Sequence, residues 1–205
     1  MMQPIPLHLV VEDILSEFVA RRLLRYTRRP YAVGACYGKR GVDYIRKSIC
    51  GFNNAAKGTP FFVLADLNSD ACAPARVRDW LSVQKHPNLL LRIAVREVES
   101  WILADRTGFA RFLGIRVNLI PLDVESISDP KQFLISLASR SRKRAIREDL
   151  VPISSSSAIG PNYNSRLGMF VHKDWDITSA VSRSQSLQHT VHSLQTFSPA
   201  VGTAL

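Results

Sequence analysis

The stretch Pro60-Phe61-Phe62-Val63-Leu64-Ala65-Asp66-Leu67-Asn68-Ser69-Asp70 decides the reading of the fold. Five consecutive apolar residues without polar alternation suit a strand buried on both faces of a parallel sheet. Asp66 stands where that strand should end.

The residues to either side repeat a strand-then-helix pattern. Upstream, Leu7, Leu9, Val10 and Val11 form an apolar run broken by Glu12 and Asp13, after which Ile14, Phe18, Val19, Leu23 and Leu24 recur at helical spacing. Tyr31 to Cys36 reads as a second strand, Gly38 and Gly41 punctuate a loop, and Val42 to Ala56 suits a helix. Downstream, Ala73 to Gln84 is a predicted helix and Leu89 to Val95 a fourth strand. Arg96 to Asp105 is a further helix that Gly108 breaks or kinks. This alternation predicts an α/β fold, a doubly wound and mostly parallel sheet with right-handed crossovers, whose strand order is not visible.

From Asp129 onward the pattern is helical, with Ser154 to Ser157 and Gly160-Pro161 marking a loop before helices around Leu167 and Leu187. The expected organisation is an α/β domain over 1–115 and a helical C-terminal extension over 116–205 packed on it. Ser198 to Leu205 reads as a frayed tail.

A chain of 205 residues with 46% hydrophobic content can bury one sizeable core. No apolar run reaches the roughly 18 residues needed to span a bilayer, and the N-terminus lacks a basic region followed by an apolar stretch, so a cytoplasmic protein is expected. Cys36, Cys50 and Cys72 are an odd number without CxxC spacing, which indicates neither a disulfide framework nor structural zinc. The formal charge of +10 is concentrated in the first three quarters, where 24 of the 27 lysines and arginines lie at or before residue 149. Such an excess favours polyanion partners, nucleic acid first among them.

In open α/β sheets ligands collect outside the carboxyl ends of strands, where Glu12 and Asp66 both fall. Converged carboxylates repel unless a cation lies between them, and hard oxygen donors suit Mg²⁺ or Mn²⁺. Such an ion polarises a phosphoryl oxygen, lowers the pKa of water and neutralises developing charge, the requirements of phosphodiester cleavage. Asp66, Asn68 and Asp70 alternate as oxygen-bearing side chains that either ligate the same ion or form a solvated turn. Glu99 has Ile102 and Leu103 three and four positions on, which places it against partly apolar surroundings as a salt-bridged or a functional carboxylate. Glu97 lies on a different helical face unless the helix begins only after it, so it is either a ligand or a surface charge.

At these residues the sequence resembles the TOPRIM superfamily, in which a glutamate after the first strand and a DxD pair after a later strand bind the catalytic metal. More closely, Val10-Val11-Glu12 with Ser16-Glu17, Ala65 to Cys72, and Arg92 to Asp105 look like a TOPRIM-like family often encoded beside AAA-type ATPases. The resemblance extends to Asp129-Pro130-Lys131, to Gly160-Pro161-Asn162-Tyr163, and to Phe170, Trp175 and Ser186-Leu187. It implies a Mg²⁺-dependent nuclease in bacterial anti-phage defence, acting with a partner ATPase, by analogy with overcoming-lysogenization-defect nucleases. Glu12, Asp66 and Glu99 would be catalytic, and Glu12, Asp66, Asn68, Asp70 and Glu97 would hold the metal. Two departures from the pattern are Asp13 in place of the usual turn glycine and Asn68 in place of the second aspartate. The loss of that charge leaves open a catalytically degenerate subunit that binds nucleic acid or the ATPase without cleaving.

Basic residues supply candidate phosphate contacts. Gly38-Lys39-Arg40-Gly41 is a glycine-flanked basic loop, although it lacks a full phosphate-loop pattern. Arg140, Arg142, Lys143 and Arg144, with Arg147, lie on a predicted helix and either track phosphates or form a solvated face. Arg21, Arg22, Arg25, Arg28 and Arg29 crowd the end of the first helix, where cations suit the dipole. His189 and His192 have no third ligand, and no GxSxG elbow occurs.

Overall fold

Four apolar segments pair into one sheet in the computed structural model, which describes residues 3–70 and 72–200. The strands are β1 (Ile5–Val11), β2 (Tyr31–Gly38), β3 (Phe61–Asp66) and β4 (Leu89–Ala94), all parallel and ordered β2-β1-β3-β4. The central strand β3 has the continuous apolar run that burial on both faces requires. All six residues of β3 are buried, whereas edge strand β2 alternates between partly and fully exposed. "Mostly parallel" thus sharpens to wholly parallel.

Helices cover both faces. On one, α2 (Val42–Ala55) and α3 (Ala73–Trp80) bury Ile45, Ile49 and Trp80 against Val10, Val63 and Leu91. On the other, α1 (Ile14–Tyr26) and α4 (Val98–Ala104) pack Leu15, Val19, Trp101 and Ile102 against Leu9, Phe62 and Leu64. The remaining helices are α5 (Arg106–Leu113), α6 (Pro130–Ser139), α7 (Arg144–Leu150), α8 (Tyr163–Lys173), α9 (Ile177–Val181) and α10 (Gln185–Thr196). They extend this second layer and share its core, which runs without interruption from Leu7 to Phe197.

The strands reverse direction of winding between β1 and β3, so their carboxyl ends open a crevice there. Glu12 and Asp66 flank it.

Several boundaries move for local reasons. The predicted helix from Arg96 starts at Val98, with Glu97 in an extended N-cap conformation. It stops at Asp105, whose carboxylate accepts from Gly108 N at 3.0 Å and caps α5. A side chain at Gly108 would collide with that carboxylate, so the glycine serves the second helix rather than kinking a single one. The helix expected over Ala73 to Gln84 ends at Trp80, because Leu81 is extended.

The tail is corrected up to Ala200. Asn88, buried just before β4, accepts from Ala200 N at 2.7 Å and donates to Ala200 O at 3.1 Å. Ser198 to Ala200 are therefore anchored, and the rest of the predicted frayed tail lies outside the described residues. No helix among the described residues is long and apolar enough to cross a membrane.

Candidate active site

Glu12 follows β1 immediately and points into the crevice, where its Oε1 accepts from the backbone N–H of Asp66 at 2.8 Å. Asp13, the next residue, accepts from Ser16 N at 2.8 Å as the N-cap of α1. That cap starts the helix.

Asp66 closes β3 and its Oδ1 accepts from Val98 N at 3.0 Å. One end of α4 is thereby capped from another strand, since Glu97 makes no side-chain cap of its own. The same start of α4 brings Glu97 and Glu99 to the crevice.

Two residues for which the sequence predicted no role complete the group. Lys131, at the first turn of α6, donates its backbone N–H to Glu97 Oε2 at 3.0 Å. Its Nζ lies 3.7 Å from both Glu97 Oε1 and Glu99 Oε1. Tyr163, the first residue of α8, donates its hydroxyl to Glu99 Oε1 at 3.0 Å. The second carboxylate oxygen of Glu99 is buried with no hydrogen-bond partner among the described residues.

Both residues are aimed by their helix starts. Asp129 accepts from Gln132 N at 2.9 Å and Pro130 occupies the first helical turn, which leaves the Lys131 N–H free for Glu97. Before α8, Asp149 binds Asn162 Nδ2 at 2.8 Å and Arg166 Nε at 2.6 Å, and Gly160 lies so close to its carbonyl that no side chain would fit.

Burial sets the protonation of this group. Glu12 is 8% exposed, Asp66 5% and Glu99 1%. Desolvation pushes the Glu12 carboxyl up to about 7 against the opposing Asp66 N–H. It pushes Glu99 to about 7 against the pull of Lys131. Asp66 is raised well above the carboxylate range by burial, then by Glu99, Glu12, Asp13 and Glu97. Burial pulls Lys131 down, yet Glu99, Glu97, Asp66 and Asp13 outweigh it and hold the ammonium above the ordinary lysine range. One ammonium thus faces several carboxylates that cannot all ionise cheaply.

Asn68 and Asp70 are engaged by arginines. Asn68 takes a left-handed conformation, φ 51°, and its carbonyl accepts from Arg96 Nη1 at 3.0 Å. The chain turns away there, and Asp70 pairs with Arg76 from α3. Arg76 also donates to the Asp66 carbonyl. The alternating Asp66, Asn68 and Asp70 do not present a ladder of carboxylates to one point.

The predicted phosphate contacts divide. Lys39 N donates to Val11 O at 2.9 Å and Gly41 N to Glu12 O at 3.1 Å, so the basic loop wraps the carboxyl end of β1. Lys39 Nζ is held by Glu17 Oε2 at 2.7 Å, while Arg40 stays exposed over the Tyr44 ring. In the second cluster Lys143 Nζ caps the Arg111 and Phe112 carbonyls at 2.9 Å, and Arg144 pairs with Glu148 at 2.7 Å. Arg140 and Arg142 remain exposed. Of the first-helix arginines, Arg22 and Arg29 donate to carbonyls of the C-terminal helical layer and hold it to α1.

Comparison with family models, with curated proteins and with solved structures finds no match to this chain.

Proposed function

We propose that the chain is a divalent-cation-dependent hydrolase of nucleic-acid phosphodiesters, with Glu12, Asp66 and Glu99 as its working carboxylates. One observation carries this reading: three buried carboxylates from three segments converge at the sheet's switch point with a single lysine among them. Stability alone does not favour such an arrangement, because buried like charges are costly.

The donor set fits a hard cation in chemistry. Glu12 and Asp66 each engage one carboxylate oxygen with backbone, which orients the other, and Glu99 keeps a buried oxygen without a partner. Among the described residues no three carboxylate, imidazole or thiol groups already stand at ligating spacing, so binding requires the side chains to close up. A bound Mg²⁺ or Mn²⁺ would supply Lewis acidity toward a phosphoryl oxygen. Within the chain, Lys131 offers a fixed positive charge for a phosphate, Arg40 extends it along the crevice rim, and Glu99 accepts or returns a proton near neutral pH. The net charge of +10 supports a polyanionic substrate. Joint action with an AAA-type ATPase in anti-phage defence belongs to this proposal on the resemblance alone.

Asn68 and Asp70 favour a second reading, a binding subunit that does not cleave, since neither adds a free carboxylate to the crevice. Incubation with plasmid DNA and with RNA, in Mg²⁺ or Mn²⁺ against chelator, separates the two. Metal-dependent cleavage lost in Asp66→Ala supports the first. Cleavage that survives Asp66→Ala overturns the site, and salt-sensitive binding without cleavage under any metal supports the second.

A further inference from the structure

A parallel strand directs the N–H and C=O of each residue to one side, alternating along the chain. In β4 the Asn88 and Ala94 carbonyls accept from β3, so the even-numbered residues pair inward and Leu89, Leu91, Ile93 and Val95 face the sheet's outer edge. Leu89 is satisfied, its N–H by His86 O at 2.9 Å and its carbonyl by Lys85 Nζ at 3.0 Å. Val95 N–H reaches Ser186 Oγ at 3.2 Å. Between them, the N–H and C=O of Leu91 and of Ile93 make no hydrogen bond among the described residues. Each of these residues is only 6% exposed.

Four backbone polar groups without a partner among the described residues make an open strand edge. It floors a cleft of about 710 Å³, walled by Ala73, Pro74 and Val77 of α3 on one side and by Ser186, His189 and Thr190 of α10 on the other. The walls are mainly apolar and the charge is positive. Arg78, Lys85 and Arg92 all line the cleft, and none forms an ion pair among the described residues. Arg92 reaches Ser193 Oγ, but its Nε is buried without a partner. Glu125, the acid at the rim, is already taken: its Oε1 accepts from Ser184 Oγ at 2.6 Å, Ser186 Oγ at 2.6 Å and Ser186 N at 2.9 Å.

We infer that the outer edge of β4 is a strand-addition groove for an extended, acidic segment of a partner protein. Such a segment pairs with Leu91 and Ile93, lays alternate apolar side chains on the α3 wall, and places carboxylates beside Arg78, Lys85 and Arg92. Backbone pairing needs an amide-bearing chain, which a polynucleotide lacks, and three cations without an ion pair among the described residues select against a basic one.

Fluorescence anisotropy with a fluorescein-labelled seven-residue peptide of alternating valine and glutamate tests this. The expected result is saturable binding by the full chain, at least tenfold weaker for the same peptide with lysine in place of glutamate. The Lys85→Gln, Arg92→Gln double variant should also bind at least tenfold more weakly. Two further peptides keep the test independent of whether that variant folds: one N-methylated at every valine, the other at every glutamate. Pairing along one edge requires that one methylated peptide bind and the other fail. Equal binding of the two, indifference to peptide charge, no saturation by any peptide, or displacement of the peptide by a short oligothymidylate would overturn the proposal.

Discussion

The Glu12 carboxylate accepts the backbone N–H of Asp66 at 2.8 Å, so the side chain that ends one central strand is fastened to the main chain that ends its neighbour. The bond gives Glu12 a structural duty and an oriented second oxygen at once. Glu12→Gln keeps an acceptor for that N–H and removes the charge, so the fold should persist while divalent-cation affinity falls. Glu12→Ala leaves a buried N–H unpaired, which costs about 1–3 kcal/mol. Urea unfolding of the two variants, beside calorimetric Mn²⁺ titration, checks both. Equal stability losses in the two would show that the hydrogen bond is not the point of difference.

Protonation of the crevice gives stability a pH dependence. The Glu12 and Glu99 carboxyls are held at about 7 in the folded chain, above their ordinary value of 4.5, so the folded state binds more protons between those values. Stability from these groups is complete below the unfolded value and is lost as pH rises through about 7. Without divalent cations the midpoint of thermal unfolding should be higher at pH 5.5 than at pH 8. Glu99→Gln should flatten that difference and raise the midpoint at pH 8. A profile that rises toward pH 8, unaltered by Glu99→Gln, contradicts the assignment.

The places of Glu12 and Asp66 were legible because each is the first carboxylate to follow an apolar run, and the parallel order sends both strand ends to one edge. Glu99 was legible from its apolar helical neighbours. The Arg76 partner of Asp70 was not legible, because alternation along the sequence implies a shared face only while the backbone stays extended, and Asn68 at φ 51° ends that. Lys131 and Tyr163 had no local signal, since their place depends on how α6 and α8 dock on α4. Within the basic clusters, composition does not separate a lysine that caps carbonyls, such as Lys143, from the exposed Arg40, Arg140 and Arg142.

Asn88 fastens the C-terminal segment to the start of β4. Its side chain is satisfied by Ala200 N, Ala200 O and Ala56 O, and it is 2% exposed. Asn88→Ala therefore strands several groups at once and should destabilise by about 1–3 kcal/mol. Hydrogen exchange of Ala200 N–H should accelerate to the rate of an unprotected amide. Slow exchange in the variant would show that Phe197, buried in the core, holds the tail without the clamp.

Lys131 is the internal counter-ion of the carboxylates, and a divalent cation competes for the same charge. Lys131→Gln removes the ammonium that faces Glu97 and Glu99 at 3.7 Å, which leaves at pH 8 a group of carboxylates with less compensation than before. The variant should melt lower than the parent at pH 8, by roughly 2–8 °C if the loss is about 1–2 kcal/mol in a chain of this size. At pH 5.5 the gap should narrow, because protonated Glu99 no longer needs the lysine. Mn²⁺ should then raise the midpoint of the variant more than that of the parent, since binding stabilises the state whose charges it neutralises. Thermal scans of both proteins at the two pH values, with and without Mn²⁺, contain the whole test. A smaller Mn²⁺ effect in Lys131→Gln would mean that the lysine orients the carboxylates for the ion instead of competing with it.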